Sequence, residues 1–76
     1  MQLLVKLLGE GTITVNVDTE SSSIDEIKNQ IHIKTHIPQS MQRLIYNRQL
    51  MSYKNVSDYN FNEGDTIYLT MKLQGD

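Results

Sequence analysis

Apolar and polar positions alternate through residues 1–7, with Met1, Leu3, Val5 and Leu7 on one face and Gln2, Leu4 and Lys6 on the other. A period of two is that of a half-buried strand. The alternation breaks at Leu8-Gly9-Glu10-Gly11, where two glycines are free to take positive φ. It resumes over residues 12–17, with Ile13, Val15 and Val17 inward and Thr12, Thr14 and Asn16 outward. Two such runs around a Gly-containing loop predict an N-terminal hairpin. The period then lengthens. Ser23 stands three residues before Glu26, the spacing of a capping box. Ile24, Ile27 and Ile31 follow at helical intervals. A helix is therefore predicted over 24–35, ending before Pro38, which disfavours helical geometry at Ile37. Lys28 falls on the apolar stripe, where its alkyl stem packs and its ammonium reaches a carboxylate or carbonyl. Ile33 falls on the opposite side and is expected to be exposed.

The run Gln42-Arg43-Leu44-Ile45-Tyr46 reads as the next strand. Its side chains must alternate between two faces, so Leu44 and Ile45 cannot both enter the core. If Ile45 points in, Arg43 goes with it, and an unpaired buried guanidinium costs far more than an exposed Ile. The favoured register puts Gln42, Leu44 and Tyr46 inward and leaves Ile45 outside with Arg43. Asn47-Arg48 is expected as a tight turn into a short strand at Gln49-Leu50, and residues 51–55 as irregular. Val56-Ser57-Asp58-Tyr59 suits one helical turn, Asn60 tolerates left-handed geometry, and Phe61 is expected inside. The last strand, 66–73, carries Ile67, Leu69, Met71 and Leu73 on one face and Thr66, Tyr68, Thr70 and Lys72 on the other. Strand, strand, helix, strand, short strand, strand is the order of an α+β fold, a mixed sheet with one helix packed across it.

A chain of 76 residues makes one domain, 1–76, and buries only ~60% of its unfolded surface. The absence of cysteine fits a reducing compartment, so a cytoplasmic or nuclear location is expected. A net charge of −2 argues against nucleic acid as a partner. No run resembles a signal peptide, a transit peptide or a membrane span, so no membrane partner is expected, and the chain is read as a monomer. Catalytic constellations are missing too. There is no cysteine nucleophile and no Gly-rich phosphate loop, and no serine has a base beside it. His32 and His36 have i, i+4 spacing but no obvious third ligand, so no metal site is expected. Asp58, Glu63 and Asp65 are separated by turns and read as solvated acids. The chain is read as a non-enzyme without a cofactor.

Met1-Gln2, Val5-Lys6, Thr12-Ile13-Thr14, Ile37-Pro38, Gln42-Arg43-Leu44-Ile45, Gln49-Leu50 and Ser57-Asp58-Tyr59-Asn60 together resemble the ubiquitin family. The resemblance runs from Met1 to Gly75, with one extra residue near Glu20 to Ser22 and one fewer at Asn47-Arg48. It implies the β-grasp fold, the order already read from the pattern, and a binding surface centred on Ile45. By the resemblance that surface comprises Leu8, Arg43, Ile45, Tyr68, Thr70 and Lys72, with Tyr68 and Thr70 replacing a His and a Val. A second patch corresponds to Leu8, Ile37, Met71 and Leu73. Leu4 stands for an exposed Phe, and His36 for the glycine that ends the family's helix. Ser52 stands for the Asp that the family pairs with its buried helix lysine, here Lys28.

Other departures bear on function. The chain-forming lysines of the family correspond here to Arg48, Glu63, Gly11 and Gln30, while Lys6, Lys28 and Lys34 are kept. Conjugated members end in Gly-Gly after an arginine, and this chain ends in Gln74-Gly75-Asp76. The expected function is a non-conjugated protein-interaction domain of the ubiquitin–proteasome pathway. It would dock through the Ile45 face onto proteins with ubiquitin-binding helices or onto proteasome receptors, as the N-terminal module of a longer protein or alone. The alternative is a modifier precursor, conjugated through Gly75 after removal of Asp76. Sulfur-carrier use needs a free terminal Gly-Gly, against which Asp76 argues.

The resemblance implies that an activating enzyme would have to adenylate the terminal carboxylate through a channel suited to glycine, and Asp76 brings a Cβ and a second carboxylate there. Incubated with ubiquitin-activating enzyme and ATP, the chain is expected to form no thiol-sensitive adduct. An adduct formed with Asp76 still attached would refute this reading.

Overall fold

The computed structural model of the chain describes residues 1–7 and 9–71. Its elements are β1 (Gln2–Leu7), β2 (Gly11–Asn16), α1 (Ile24–Thr35), β3 (Gln42–Tyr46), β4 (Arg48–Gln49) and β5 (Thr66–Met71), with 3₁₀ turns at Gln39–Met41 and Val56–Asp58. The strands form one five-stranded sheet in the order β2-β1-β5-β3-β4. β1 and β5 run parallel, and the other pairs antiparallel. With α1 across one face this is the β-grasp arrangement expected from the sequence. No helix among the described residues is long and apolar enough to cross a membrane.

The core lies between α1 and the inner face of the sheet. Leu3, Val5 and Leu7 of β1, Val15 of β2, Leu44 of β3, and Ile67 and Leu69 of β5 are buried against Ile24, Ile27 and Ile31 of α1. Each fully buried aliphatic side chain contributes ~1.5–3 kcal/mol. Ile33, on the far side of the helix, is 67% exposed, as its spacing requires. Lys28 is buried among the isoleucines.

Local chemistry sets the helix ends. Ser23 Oγ accepts the Glu26 N–H at 3.2 Å, and Asp25 and Glu26 face the positive end of the helix dipole. At the other end His36 takes φ 64°, and its N–H donates to His32 O at 2.8 Å. This is the left-handed residue that ends many helices, a place where glycine costs least. Thr35 Oγ1 donates to Ile31 O at 2.7 Å and accepts the Ile37 N–H at 3.2 Å, turning the chain into Pro38.

The helix also covers one edge of the sheet. The Gln30 side-chain amide pairs with both backbone groups of Asn16, accepting its N–H at 3.0 Å and donating to its C=O. Lys34 Nζ donates to Thr14 O at 2.6 Å. Part of the outer edge of β2 is thereby satisfied, where an open edge would invite pairing with another chain.

Several details differ from the sequence reading. β2 spans 11–16 where 12–17 was expected, although Val17 is still buried. Arg48 belongs to β4 and not to the turn, because Asn47 alone, at φ 61°, reverses the chain and leaves Tyr46 opposite Arg48. Leu50 is then left past the strand end, buried, with its N–H on Leu44 O at 2.8 Å. Phe61 is half-buried, not fully inside, because it closes the core from the end. It lies 4.5 Å from the Tyr46 ring and 6.0 Å from the Tyr59 ring, with the Arg48 guanidinium 5.1 Å over Tyr59.

His36 holds a β-carbon in left-handed geometry. His36→Gly is expected to raise stability by about 0.5–1 kcal/mol in urea denaturation. A loss of stability would show that the imidazole makes a contact worth more than the strain.

Candidate functional site

The site is built from the side-chain alternation of β3. Gln42 and Leu44 are wholly buried, while Arg43 and Ile45 lie on the other face, each half-buried. Gln42 is held inside by its amide, whose Nε2 donates to Lys28 O and to Ile37 O, both at 3.0 Å. Ile45 is less exposed than the sequence reading expected, because it has neighbours on both sides. Across the sheet its Cα partners are Tyr68 on β5 and Gln49 on β4.

The strand registers extend this into a row. Tyr68 is paired with Lys6 of β1, and Lys6 with Thr12 of β2, so Thr12, Lys6, Tyr68, Ile45 and Gln49 cross the outer face in line. A parallel row holds Thr14, Leu4 and Thr66. Thr70 stands opposite Arg43, and its Oγ1 lies 3.5 Å from Arg43 O. Tyr68 is 47% exposed, Lys6 is exposed, and Leu4 and Thr70 are half-buried. Every one of these outward strand positions lacks a carboxylate, while Lys6 and Arg43 bring positive charge. The face is thus a small apolar centre, Ile45 and Tyr68, with cations and hydroxyls around it.

Of the residues predicted for this surface, Arg43, Ile45, Tyr68 and Thr70 come together. Leu8 and Lys72 lie outside the described residues, as do Leu73 of the second patch and Gly75. The two described members of that patch, Ile37 and Met71, both border Gln42. Ile37 O accepts from the Gln42 amide, and Met71 is the Cα partner of Gln42. Met41, immediately before Gln42 and 40% exposed, was not predicted. Its position in the chain next to an inward-facing strand residue was the available signal. Gln49 was also missed, since its place beside Ile45 depends on the one-residue turn at Asn47. Lys34 is held on Thr14 O and Lys28 is buried, so of the three lysines shared with the family Lys6 is the one standing open on this face. A separate depression of about 250 Å³, lined by Met1, Thr19, Val56, Ser57, Asn60 and Phe61, contains none of the predicted site residues.

The inner side of β3 is tied to the start of β5. Tyr46 Oη donates to Asp65 Oδ2, which also accepts the Asn62 N–H at 2.8 Å. The Leu4 N–H donates to Asp65 O at 2.8 Å, so the same residue anchors β1. The bond from Tyr46 holds the Asp65 carboxyl below its usual range, the Asn62 N–H adds to this, and partial burial opposes it. The same bond pushes the Tyr46 hydroxyl up, with burial and the Asp65 charge acting in the same direction. Asp18, in the turn before α1, is lowered by the Glu20 and Ser21 N–H groups that its Oδ1 accepts, at 2.9 and 3.2 Å. His32 and His36 are both exposed, and no group of three His, Cys, Asp or Glu side chains among the described residues could hold a metal.

Comparison with known proteins gives a consistent result. A model of the Ubiquitin family matches residues 3–74. Ubiquitin-like protein 1 of Schizosaccharomyces pombe is 33% identical over 76 residues, covering 99% of this chain and 96% of that protein. NEDD8-like protein RUB3 of Arabidopsis thaliana is 32% identical, with 99% and 96% covered. Ubiquitin-like protein NEDD8 of Dictyostelium discoideum is 33% identical, with 99% and 97% covered.

The Tyr46–Asp65 bond makes stability depend on pH at both ends. A lowered carboxyl stabilises the fold above the unfolded value of ~3.9, and that contribution is lost as pH falls through the lower folded value. A raised tyrosine stabilises the fold below ~10, and that contribution is lost as pH rises through the higher folded value. Thermal unfolding against pH is expected to show Tyr46→Phe less stable than the wild type at neutral pH, with the two curves converging at both extremes. A constant gap between them would contradict the assignment.

Proposed function

The chain belongs to the ubiquitin family, and on that premise we propose that it is a docking domain, not itself conjugated, that binds partner helices through the face centred on Ile45. The observation that carries this reading is the row Lys6, Tyr68, Ile45, Gln49, with Arg43 two residues before Ile45 on the same face, so that an aliphatic and an aromatic residue stand together near two cations. Such a surface suits an amphipathic helix with an apolar stripe and acidic flanks. Proteins with ubiquitin-binding helices and proteasome receptors are the corresponding partner classes, in the cytoplasm or the nucleus. Arg43 and Lys6 would meet the acidic flanks. Tyr68 offers a ring with a polar tip, which favours partners that can hydrogen-bond it. Thr70 supplies less apolar surface than valine would, so receptors selected for ubiquitin should bind this chain more weakly than ubiquitin.

The second reading, a modifier precursor conjugated through Gly75 after removal of Asp76, is supported by the relatives. Three ubiquitin-like or NEDD8-like proteins are spanned almost end to end by this chain. The departures at Lys72, Gln74 and Asp76 weigh against it.

Titration of a ubiquitin-binding amphipathic helix is expected to show at least a tenfold weaker Kd for Ile45→Ala, the loss of about 1.4 kcal/mol or more. Because Ile45 is half-buried, the variant should also lose about 1 kcal/mol of stability but remain folded. Equal binding by wild type and variant would remove the Ile45 face from this account.

A further inference from the structure

With four methionines and no cysteine, the thioethers are the chain's only sulfur redox groups. Met1 is half-buried and packs against the core. The other three stand at the surface, Met41 and Met51 each 40% exposed and Met71 44%. Two of these share one place in the fold. Met41 closes a 3₁₀ turn one residue before Gln42, and Gln42 is the Cα partner of Met71 across the β3–β5 ladder. The amide of Gln42 also bonds Ile37 O at 3.0 Å. Met41, the chain neighbour of Gln42, and Met71, its cross-strand Cα partner, therefore lie at the same end of the β3–β5 ladder, where the Gln42 amide holds the backbone of the half-buried Ile37. Met51 is elsewhere, in the turn after β4, where its O accepts the Lys54 N–H at 3.0 Å.

We propose that Met41 and Met71 form a paired oxidation site, at which a hydroperoxide converts both thioethers to sulfoxides and turns the patch beside Ile37 from apolar to polar while the fold stays intact. At each site a sulfur lone pair attacks the terminal oxygen of the hydroperoxide. The O–O bond breaks, an S–O bond forms, and the second oxygen takes the proton of the transferred one and leaves as the alcohol, or as water when the oxidant is hydrogen peroxide. Sulfur loses two electrons and the peroxide gains them. Exposure governs access to the oxidant, and the product is a polar group where a flexible apolar one stood. The fold tolerates the change because neither residue belongs to the core, whereas Met1 is packed against it. Methionine sulfoxide reductases with a thiol reductant reverse the step, so the patch can be switched in both directions. This inference is independent of the Ile45 face, since it concerns a different group of side chains.

The test is a hydrogen peroxide time course on the full chain, followed residue by residue by peptide mass, with thermal unfolding and retention on a phenyl column measured alongside. Met41 and Met71 should gain one oxygen each at least about fivefold faster than Met1, phenyl retention should fall, and the unfolding temperature should hold. The double variant Met41→Leu/Met71→Leu keeps the patch apolar and should lose markedly less retention under peroxide than the wild type. Met51→Leu should behave as the wild type does. Oxidation of Met1 as fast as Met41 and Met71, a fall in unfolding temperature as those two react, or an equal loss of retention by the double variant would each overturn the proposal.

Discussion

The structure depends on how β3 divides its side chains between two faces. Within five residues this strand must place a glutamine, an arginine, a leucine and an isoleucine, and alternation permits only two assignments. The observed one sends Gln42 and Leu44 inward. Burying a glutamine is tolerable because its Nε2 donates to two carbonyls, Lys28 O within the helix and Ile37 O in the chain after it. The arrangement is not perfect, since Gln42 Oε1 is buried with no hydrogen-bond partner among the described residues. An unsatisfied acceptor costs ~1–3 kcal/mol, still far less than an uncompensated buried charge. Once Gln42 is fixed, α1, the segment after it and β3 are locked together, and Ile45 must face out.

From that constraint the rest of the surface follows. β5 pairs with β1 on one side and β3 on the other, so its outward residues Tyr68 and Thr70 are placed between Lys6 and the Ile45–Arg43 pair. The Tyr46–Asp65 bond supports this from within, because it joins the inward end of β3 to the turn that starts β5. The same strand therefore orders two sets of groups. Its outer side chains form the proposed docking face, and its first residue lies among the methionines near Ile37.

Much of this was legible in the residues, where a local period or a local cost decides. The alternation in β1 and β2, the isoleucine spacing in α1 and the choice between Arg43 and Leu44 each need only a few neighbouring positions. What was not legible depends on partners distant in sequence or on the backbone angle of one residue. Tyr46 and Asp65 are 19 positions apart, and nothing local pairs them. The cover of β2 by Gln30 requires the helix to lie at one angle across the sheet. The turn at Asn47 placed Arg48 in a strand and Gln49 beside Ile45 because one left-handed residue was enough to reverse the chain. For the site, alternation alone gave Ile45 and Tyr68 their sides of the sheet. Their adjacency came from the family resemblance, and the β3–β5 register makes them Cα partners. Met41 escaped because its one local signal, a place beside an inward-facing strand residue, says nothing of which side chains lie across the sheet.

The central claim is the sidedness of β3, and it can be read from methyl signals in solution. A soluble gadolinium chelate broadens methyl resonances according to their access to water. The account predicts strong broadening at the Ile45 δ1 methyl, none beyond background at the Leu44 δ methyls, and cross-strand contacts between the Ile45 and Tyr68 backbones. Broadening of Leu44 with protection of Ile45 would mean that the strand is turned over, and the docking face would not exist.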